Sequence, residues 1–192
     1  DKRRIGTSGI AVPQKRQLIN SGLADAPVRM RTIGGLPETG IAETPGWIDV
    51  DYEYPGLHVT WTQRTPDFPG AGTRGIGARF IGANGNLVSD YGNRVIFLDG
   101  KETDDVPDVP RTLSRSPGHH RNFLDCVKSR MPADSNLDYA FPMTIPMYLS
   151  CISHRLGRPL EWDAANEQFV DDPEATAMLT KPFRAPWTLP VY

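Results

Sequence analysis

The sequence predicts an α+β domain: an open, mainly antiparallel β-sheet of about five to six strands, with helices packed on one face, late helices and an extended tail. Three observations predict it. Period-two alternation dominates the first hundred residues, and helical spacing replaces it after Pro117-Gly118. The 192 residues include 18 Pro and 18 Gly, about 19% together, against about 12% in an average protein, so turns are frequent. A hydrophobic share of 39% is too high for a disordered chain, and a chain of this length buries a core of its own.

Residues 1–26 carry little pattern and read as an N-terminal tail or linker, with 27–192 as the domain. Lys2-Arg3-Arg4 precedes a stretch broken by Gly6, Thr7, Ser8 and Gly9. No apolar h-region follows, so an exposed basic tail is expected rather than an export signal. Lys15 to Leu23 has the pattern of a short helix ending near Gly22. Val28 to Ile33 alternates and stops at Gly34-Gly35, a strand with one wet face. Leu36 to Gly46 is loop. From Trp47 to Tyr54, Ile48, Val50, Tyr52 and Tyr54 fall on one side and Asp49, Asp51 and Glu53 on the other. Pro55-Gly56 then turns the chain into Leu57 to Thr65, completing a hairpin.

Residues 66–75 form a Pro- and Gly-rich loop. Ile76 to Ile81 and Asn86 to Tyr91 flank Asn84-Gly85, a pair that favours a two-residue hairpin turn with φ > 0. Arg94 to Leu98 is one more strand, and Lys101 to Ser116 reads as surface linker. The spacing of Phe123, Leu124 and Val127 predicts a helix over His119 to Arg130. Asp138 to Leu156 is a second helix, closed by Gly157. An interior proline costs about 3 kcal/mol, so this helix should kink or start properly only at Pro146. Leu160 to Trp162 and Gln168 to Val170 make a small hairpin. Asp172 caps a helix that starts with Pro173 and runs to about Thr180. Pro182 to Tyr192 is extended.

Charge and composition exclude several function classes. Lys and Arg total 21 and Asp and Glu 23, so the chain has no electrostatic footprint for nucleic acid or anionic lipid. No apolar run reaches the ~20 residues of a membrane span. Neither nucleic acid nor membrane is therefore expected as a partner. Two cysteines exclude a disulfide framework and a four-Cys zinc site.

The residues by themselves show no catalytic constellation. Gly70 to Gly77 is rich in glycine, but Phe80 replaces the third glycine of a dinucleotide fingerprint and a strand follows instead of a helix. Among His58, His119, His120 and His154 no pair has the i, i+4 spacing of a helical zinc site, so no metal is expected. His119 and His120 diverge by about 100° on a helix; helix-terminal polar residues are the favoured reading, and substrate contact the minority one. Cys126 and Cys151 read as small core residues. The carboxylates of Asp49, Asp51 and Glu53 read as a solvated face, with a cation or sugar site as the alternative. Trp47, Tyr52, Tyr54 and Trp61 read as sheet core or a sheet interface, with sugar stacking as the alternative. His119, His120 and Trp61 are thus the candidate substrate-binding residues.

Three segments in order carry a family likeness: His119-His120-Arg121-Asn122-Phe123-Leu124-Asp125, then Arg155-Leu156-Gly157-Arg158-Pro159-Leu160-Glu161-Trp162-Asp163, then Arg184-Ala185-Pro186-Trp187. Gly77-Ala78-Arg79-Phe80-Ile81-Gly82 joins them. Together they resemble the C-terminal domain of the Gfo/Idh/MocA oxidoreductases (glucose–fructose oxidoreductase, inositol dehydrogenase and relatives) over roughly residues 27–192. The resemblance implies a parent dehydrogenase that takes NAD or NADP in an N-terminal Rossmann domain missing from these residues. It also implies a small carbohydrate-like substrate and a homo-oligomer formed through the sheet, with exposed sheet aromatics at the contact. In that chemistry a hydride moves between a carbinol carbon and the nicotinamide, with a Lys and a His on the proton-transfer side. The sequence departs from the pattern there. It has no Glu-Lys-Pro, and the residues four before its histidines are Tyr54, Arg115, Ser116 and Ser150 rather than Asp. No catalytic or cofactor-binding residue is carried over, and the chain alone is expected to be inactive. A free-standing carbohydrate- or protein-binding module, and a domain of an NAD-assisted glycosidase or epimerase, stand as alternatives.

Overall fold

The computed structural model describes residues 3–8, 26–36, 39, 41, 44–64, 67–72, 75–105, 110 and 115–188. Strands β2 (Arg29–Gly35), β3 (Trp47–Tyr54) and β4 (Leu57–Thr62) form an antiparallel meander. A second is made by β5 (Gly77–Ile81), β6 (Gly85–Ser89), β7 (Arg94–Leu98) and the two-residue β8 (Lys101–Glu102). The hairpin of β9 (Leu160–Asp163) and β10 (Gln168–Phe169) joins the first meander where Met30 pairs with Leu160. The sheet is therefore open and mostly antiparallel, as the alternation predicts, in the order β10-β9-β2-β3-β4-β1-β5-β6-β7-β8, where β1 is Arg3–Ser8.

Its centre differs from the expectation. Arg3–Ser8 forms β1, parallel to β4 and antiparallel to β5, and so links the two meanders. An exposed tail would leave the backbone N–H and C=O groups on the edges of β4 and β5 without strand partners, and a six-residue insert satisfies both edges at once. The helix expected over Lys15 to Leu23 lies outside the described residues, as do most of 106–114.

Two turns show how local chemistry sets register. Asp99 and Gly100 take φ of 49° and 77° between Leu98 and its partner Lys101, the two-residue mirror-image turn whose twist suits a hairpin. At the other turn the pairing of Ile81 with Asn86 and the bond from the Gly82 amide to the Gly85 carbonyl put Ala83-Asn84 in the loop. Asn84-Gly85 is thus one residue out of the expected position, and neither residue has φ > 0. Gly85 serves a different need. A Cβ there would lie 2.0 Å from the Phe97 carbonyl oxygen, so only glycine lets β6 approach β7.

Helices α1 (His119–Ser129) and α2 (Leu137–Leu156) follow β8, and α3 (Pro173–Ala177) follows β10. Of the two expected outcomes, a kink or a start at Pro146, the late start is not met: α2 is continuous from Leu137 with both Pro142 and Pro146 inside it. Its true start is capped by Asn136, whose side chain accepts from the Tyr139 amide at 3.1 Å. Burial of Pro146, Leu149 and Ile152 offsets the missing proline hydrogen bonds. The main core joins this helix to the sheet through Met30, Val50, Tyr52, Leu57, Val59, Leu160, Trp162 and Phe169. Trp162 and Phe169 meet edge-to-face with centroids 5.2 Å apart. Asp172 caps α3 as expected, but α3 stops at Ala177, where the Met178 and Leu179 amides tighten into bonds to the carbonyls three residues back.

Candidate functional site

The meander β2-β3-β4 has two unlike faces because side chains alternate and the register keeps like with like. One face packs toward α2 with Met30, Thr32, Val50, Tyr52, Leu57 and Val59 buried. The other carries Arg29 and Arg31 on β2, Asp49, Asp51 and Glu53 on β3, and His58 on β4. Here Arg29 stands opposite Glu53, Arg31 opposite Asp51, and Glu53 opposite His58. Arg29, Arg31, Asp51, Glu53 and His58 line an open depression of about 340 Å³.

The three carboxylates of β3 lie on a solvated face, as expected, and each also has a partner. Asp49 forms an ion pair with Arg64 and accepts from the Thr62 hydroxyl. Asp51 lies 3.4 Å from His58 Nε2, and Glu53 3.7 Å from Arg29. Like charges two residues apart on one strand face would repel, and a basic or hydroxyl partner on each side removes that cost. The partners were legible in principle: a two-residue turn at Pro55-Gly56 puts Glu53 opposite His58.

Three of the four sheet aromatics face the core, in keeping with the sheet-core reading. Tyr52 is buried, and Tyr54 and Trp61 pack against the core cluster on the helix side. Burial pushes the Tyr52 phenol up to about 12, against a lesser pull down from a hydrogen bond with Ser150. The Tyr54 phenol is also raised, by burial first and by its neighbour Tyr52 second. Trp47 alone points outward and stays 39% exposed, with its ring beside Gly35 and the Arg64 guanidinium 4.4 Å from the ring centroid.

His119 and His120 open α1 in exposed positions, and their ring centroids approach to 4.0 Å. Their Cα–Cβ directions diverge as expected, yet side-chain torsions bring the rings together. Trp61, the third candidate, belongs to the core side of β4 instead. His154 lies in the last turn of α2, with Cε1 3.4 Å from where a Cβ on Gly34 would be. The cysteines are not core residues: Cys151 is exposed, and Cys126 is half-buried with Sγ 3.5 Å from the Pro132 carbonyl oxygen.

The described part of Gly70 to Gly77 leads into β5, so no helix N-terminus receives a pyrophosphate there, and these residues do not fit a dinucleotide cradle. Among the described residues no three His, Cys, Asp or Glu side chains converge as a metal site. No described helix is long and apolar enough to cross a membrane.

Comparison with known proteins agrees with this architecture. No curated protein gives a significant match. Among solved structures, the chain is similar to the aldose–aldose oxidoreductase from Caulobacter crescentus, crystallised with glycerol: 13% identity, 83% of this chain, 55% of that one, TM-score 0.50. It is also similar to yvaA of Bacillus subtilis, named as an oxidoreductase: 7% identity, 85% of this chain, 58% of that one, TM-score 0.52. At these identities the likeness is one of fold, and the chain spans little more than half the length of either structure. The family model described as "Oxidoreductase family, C-terminal alpha/beta domain" matches residues 82–189, more than half of the chain. The ten-stranded open sheet with its late helices thus belongs to the Gfo/Idh/MocA oxidoreductase family, as a C-terminal α/β domain.

Proposed function

We propose that this chain is the substrate-side and oligomerisation domain of an NAD(P)-dependent oxidoreductase acting on a sugar or polyol, inactive by itself. The observation that carries the reading is the family match, which runs from β6 through α3 and beyond. A carbohydrate-like substrate is supported by the fold shared with an aldose–aldose oxidoreductase. NAD or NADP would be held by a Rossmann domain joined to this one, since the glycines here run into a strand. His119 and His120 are the proposed substrate-side residues, and Trp61 would act through the packing of β4.

The homo-oligomer would form through the polar face of the sheet. A row of arginines (Arg29, Arg31) beside a row of carboxylates (Asp49, Asp51, Glu53) is self-complementary across a two-fold axis, where each row of one protomer meets the opposite row of its partner. Arg31→Glu is expected to dissociate it in sedimentation velocity, and Arg31→Glu with Asp51→Arg to restore it.

The test of the main reading is calorimetry of NAD and NADP, with product analysis on sugars and polyols, for the intact gene product and for these 192 residues. Cofactor binding and net oxidation by the intact product, and neither by this chain, are expected. Turnover by this chain alone overturns the reading. Epimerised or cleaved product without net oxidation moves it to the NAD-assisted class.

A further inference from the structure

The polar face of the sheet continues past the meander. Glu161 of β9 stands opposite Arg29 of β2, Arg29 opposite Glu53 of β3, and Glu53 opposite His58 of β4. Directly opposed residues share a face, and their side chains are neighbours. One row across four adjacent strands therefore reads acid, base, acid, histidine. The row beside it holds Arg31 and Asp51 and ends on Thr60. Histidine ordinarily gains its charge roughly between pH 8 and pH 5. Acidification then completes the alternation: acid, base, acid, base.

Few charged groups face His58. Asp51 lies 3.4 Å from its Nε2, and Glu53, its register neighbour, is 3.7 Å from Arg29. Arg31 lines the same depression, and Arg4 holds the register position on β1. With His58 neutral, acids predominate among the described side chains of this face from β9 to β4. Asp49, Asp51, Glu53, Glu161 and Asp163 stand against Arg29, Arg31 and Arg64. Two such faces repel each other, and a proton on each His58 reduces the repulsion.

Two-fold symmetry fixes where that charge goes. The strands run β9-β2-β3-β4 across the sheet. An axis along the strands, over the seam of β2 and β3, lays β2 on the partner's β3 and β4 on the partner's β9. The arginine row meets the carboxylate row in this arrangement, and His58 comes over the exposed Glu161 of the partner subunit.

We propose that protonation of His58 tightens the contact between two copies of this chain, the imidazolium pairing with the partner's Glu161. The proposal rests on the homo-oligomer of the proposed function and adds its regulation, with association strengthening as the solution is acidified.

The experiment is sedimentation equilibrium of the intact gene product at pH 8 and pH 6, with circular dichroism to confirm that the fold is kept. The dissociation constant is expected to fall about tenfold or more at pH 6. His58→Gln and Glu161→Gln should each shrink that change to less than about twofold, and His58→Arg should associate as tightly at pH 8 as the wild type does at pH 6. Unchanged or weaker association of the wild type at pH 6 overturns the proposal, and so does a full response in His58→Gln or Glu161→Gln. Arg31→Glu separates the two levels. An oligomer that Arg31→Glu dissociates but that ignores pH sinks the regulation and leaves the sheet contact standing. A product that is monomeric at both pH values, or that stays assembled with Arg31→Glu, sinks both.

Discussion

The Ser153 hydroxyl accepts a hydrogen bond from the Thr32 amide at 3.1 Å and donates one to the Arg158 carbonyl at 2.8 Å. This contact spans 121 residues of sequence. Strand β9 pairs with β2 only at Arg29 and Met30, so the Thr32 amide has passed the end of that partner strand. A side chain from α2 takes the place of a strand. Both residues are fully or nearly buried, so no water can substitute.

Ser153→Ala is therefore expected to destabilise the domain by about 1–3 kcal/mol, the cost of an orphaned buried amide. Urea unfolding measures the loss. Faster hydrogen exchange at the Thr32 amide, with other β2 amides little changed, locates it. Wild-type stability in the variant would mean that the bond contributes nothing.

Gly85 and Gly82 border the same turn and differ in what a methyl group would meet. At Gly85 it would lie 2.0 Å from a backbone oxygen, whereas at Gly82 its nearest neighbour is at 3.6 Å, ordinary contact. Gly85→Ala should cost about 2 kcal/mol or more through forced separation of β6 from β7. Gly82→Ala should change stability by less than about 0.5 kcal/mol. Equal melting temperatures for the two variants would refute the close approach.

The tyrosines give the alkaline limb of stability. Tyr52 ionises at about 12 in the fold and Tyr54 is raised as well, against an ordinary value of 10.0 for both. Above pH 10 the unfolded chain releases these protons while the folded one keeps them. Stability is complete below pH 10 and falls as pH rises toward 12. In a 295 nm titration of the six tyrosines, two should stay protonated past pH 11 and ionise together with unfolding.

Asp172 contributes to the acid limb together with Asp125 and Asp163, whose carboxyls are held low by Arg121 and by Asn166. The Arg158 guanidinium holds the Asp172 carboxyl below the usual carboxylate range, with the Ala175 amide as a second cause. A group depressed in the folded state contributes stability above its unfolded value, and that contribution disappears as pH falls through the folded one. Asp172→Asn, which keeps a capping oxygen, should flatten the decline of melting temperature between pH 4 and pH 2. Asp172→Ala should lower the melting temperature further at neutral pH, because the cap of α3 goes too.

Much that depended on neighbours in the chain was legible in the residues. Strand β3 runs over the eight residues its alternation marks out, because a period of two forces Val50 and Tyr52 to one side and Asp49 and Asp51 to the other. Asp172 before Pro173, and Gly157 after Leu156, end and begin helices by bonds that reach no more than a few residues. Contacts across the molecule decided the rest. The tract RRIGTS has no alternation, and it is a strand because β4 and β5 each offer it an edge. Pro146 was expected to delay α2, a local penalty that the Asn136 cap and the core outweigh.

The candidate site divides in the same way. The acidic row on β3 could be read directly, but its arginine and histidine partners follow only from register. The amino-acid order alone determined the α+β class, the position of most strands and helices, and the family likeness in the C-terminal half. Tertiary structure alone decided that Arg3–Ser8 is a central strand, which partners the β3 carboxylates take, and that Leu137, Phe141 and Tyr148 of α2 are exposed. Periodicity says which residues share a face, whereas burial depends on what that face meets, and those partners come from elsewhere in the fold.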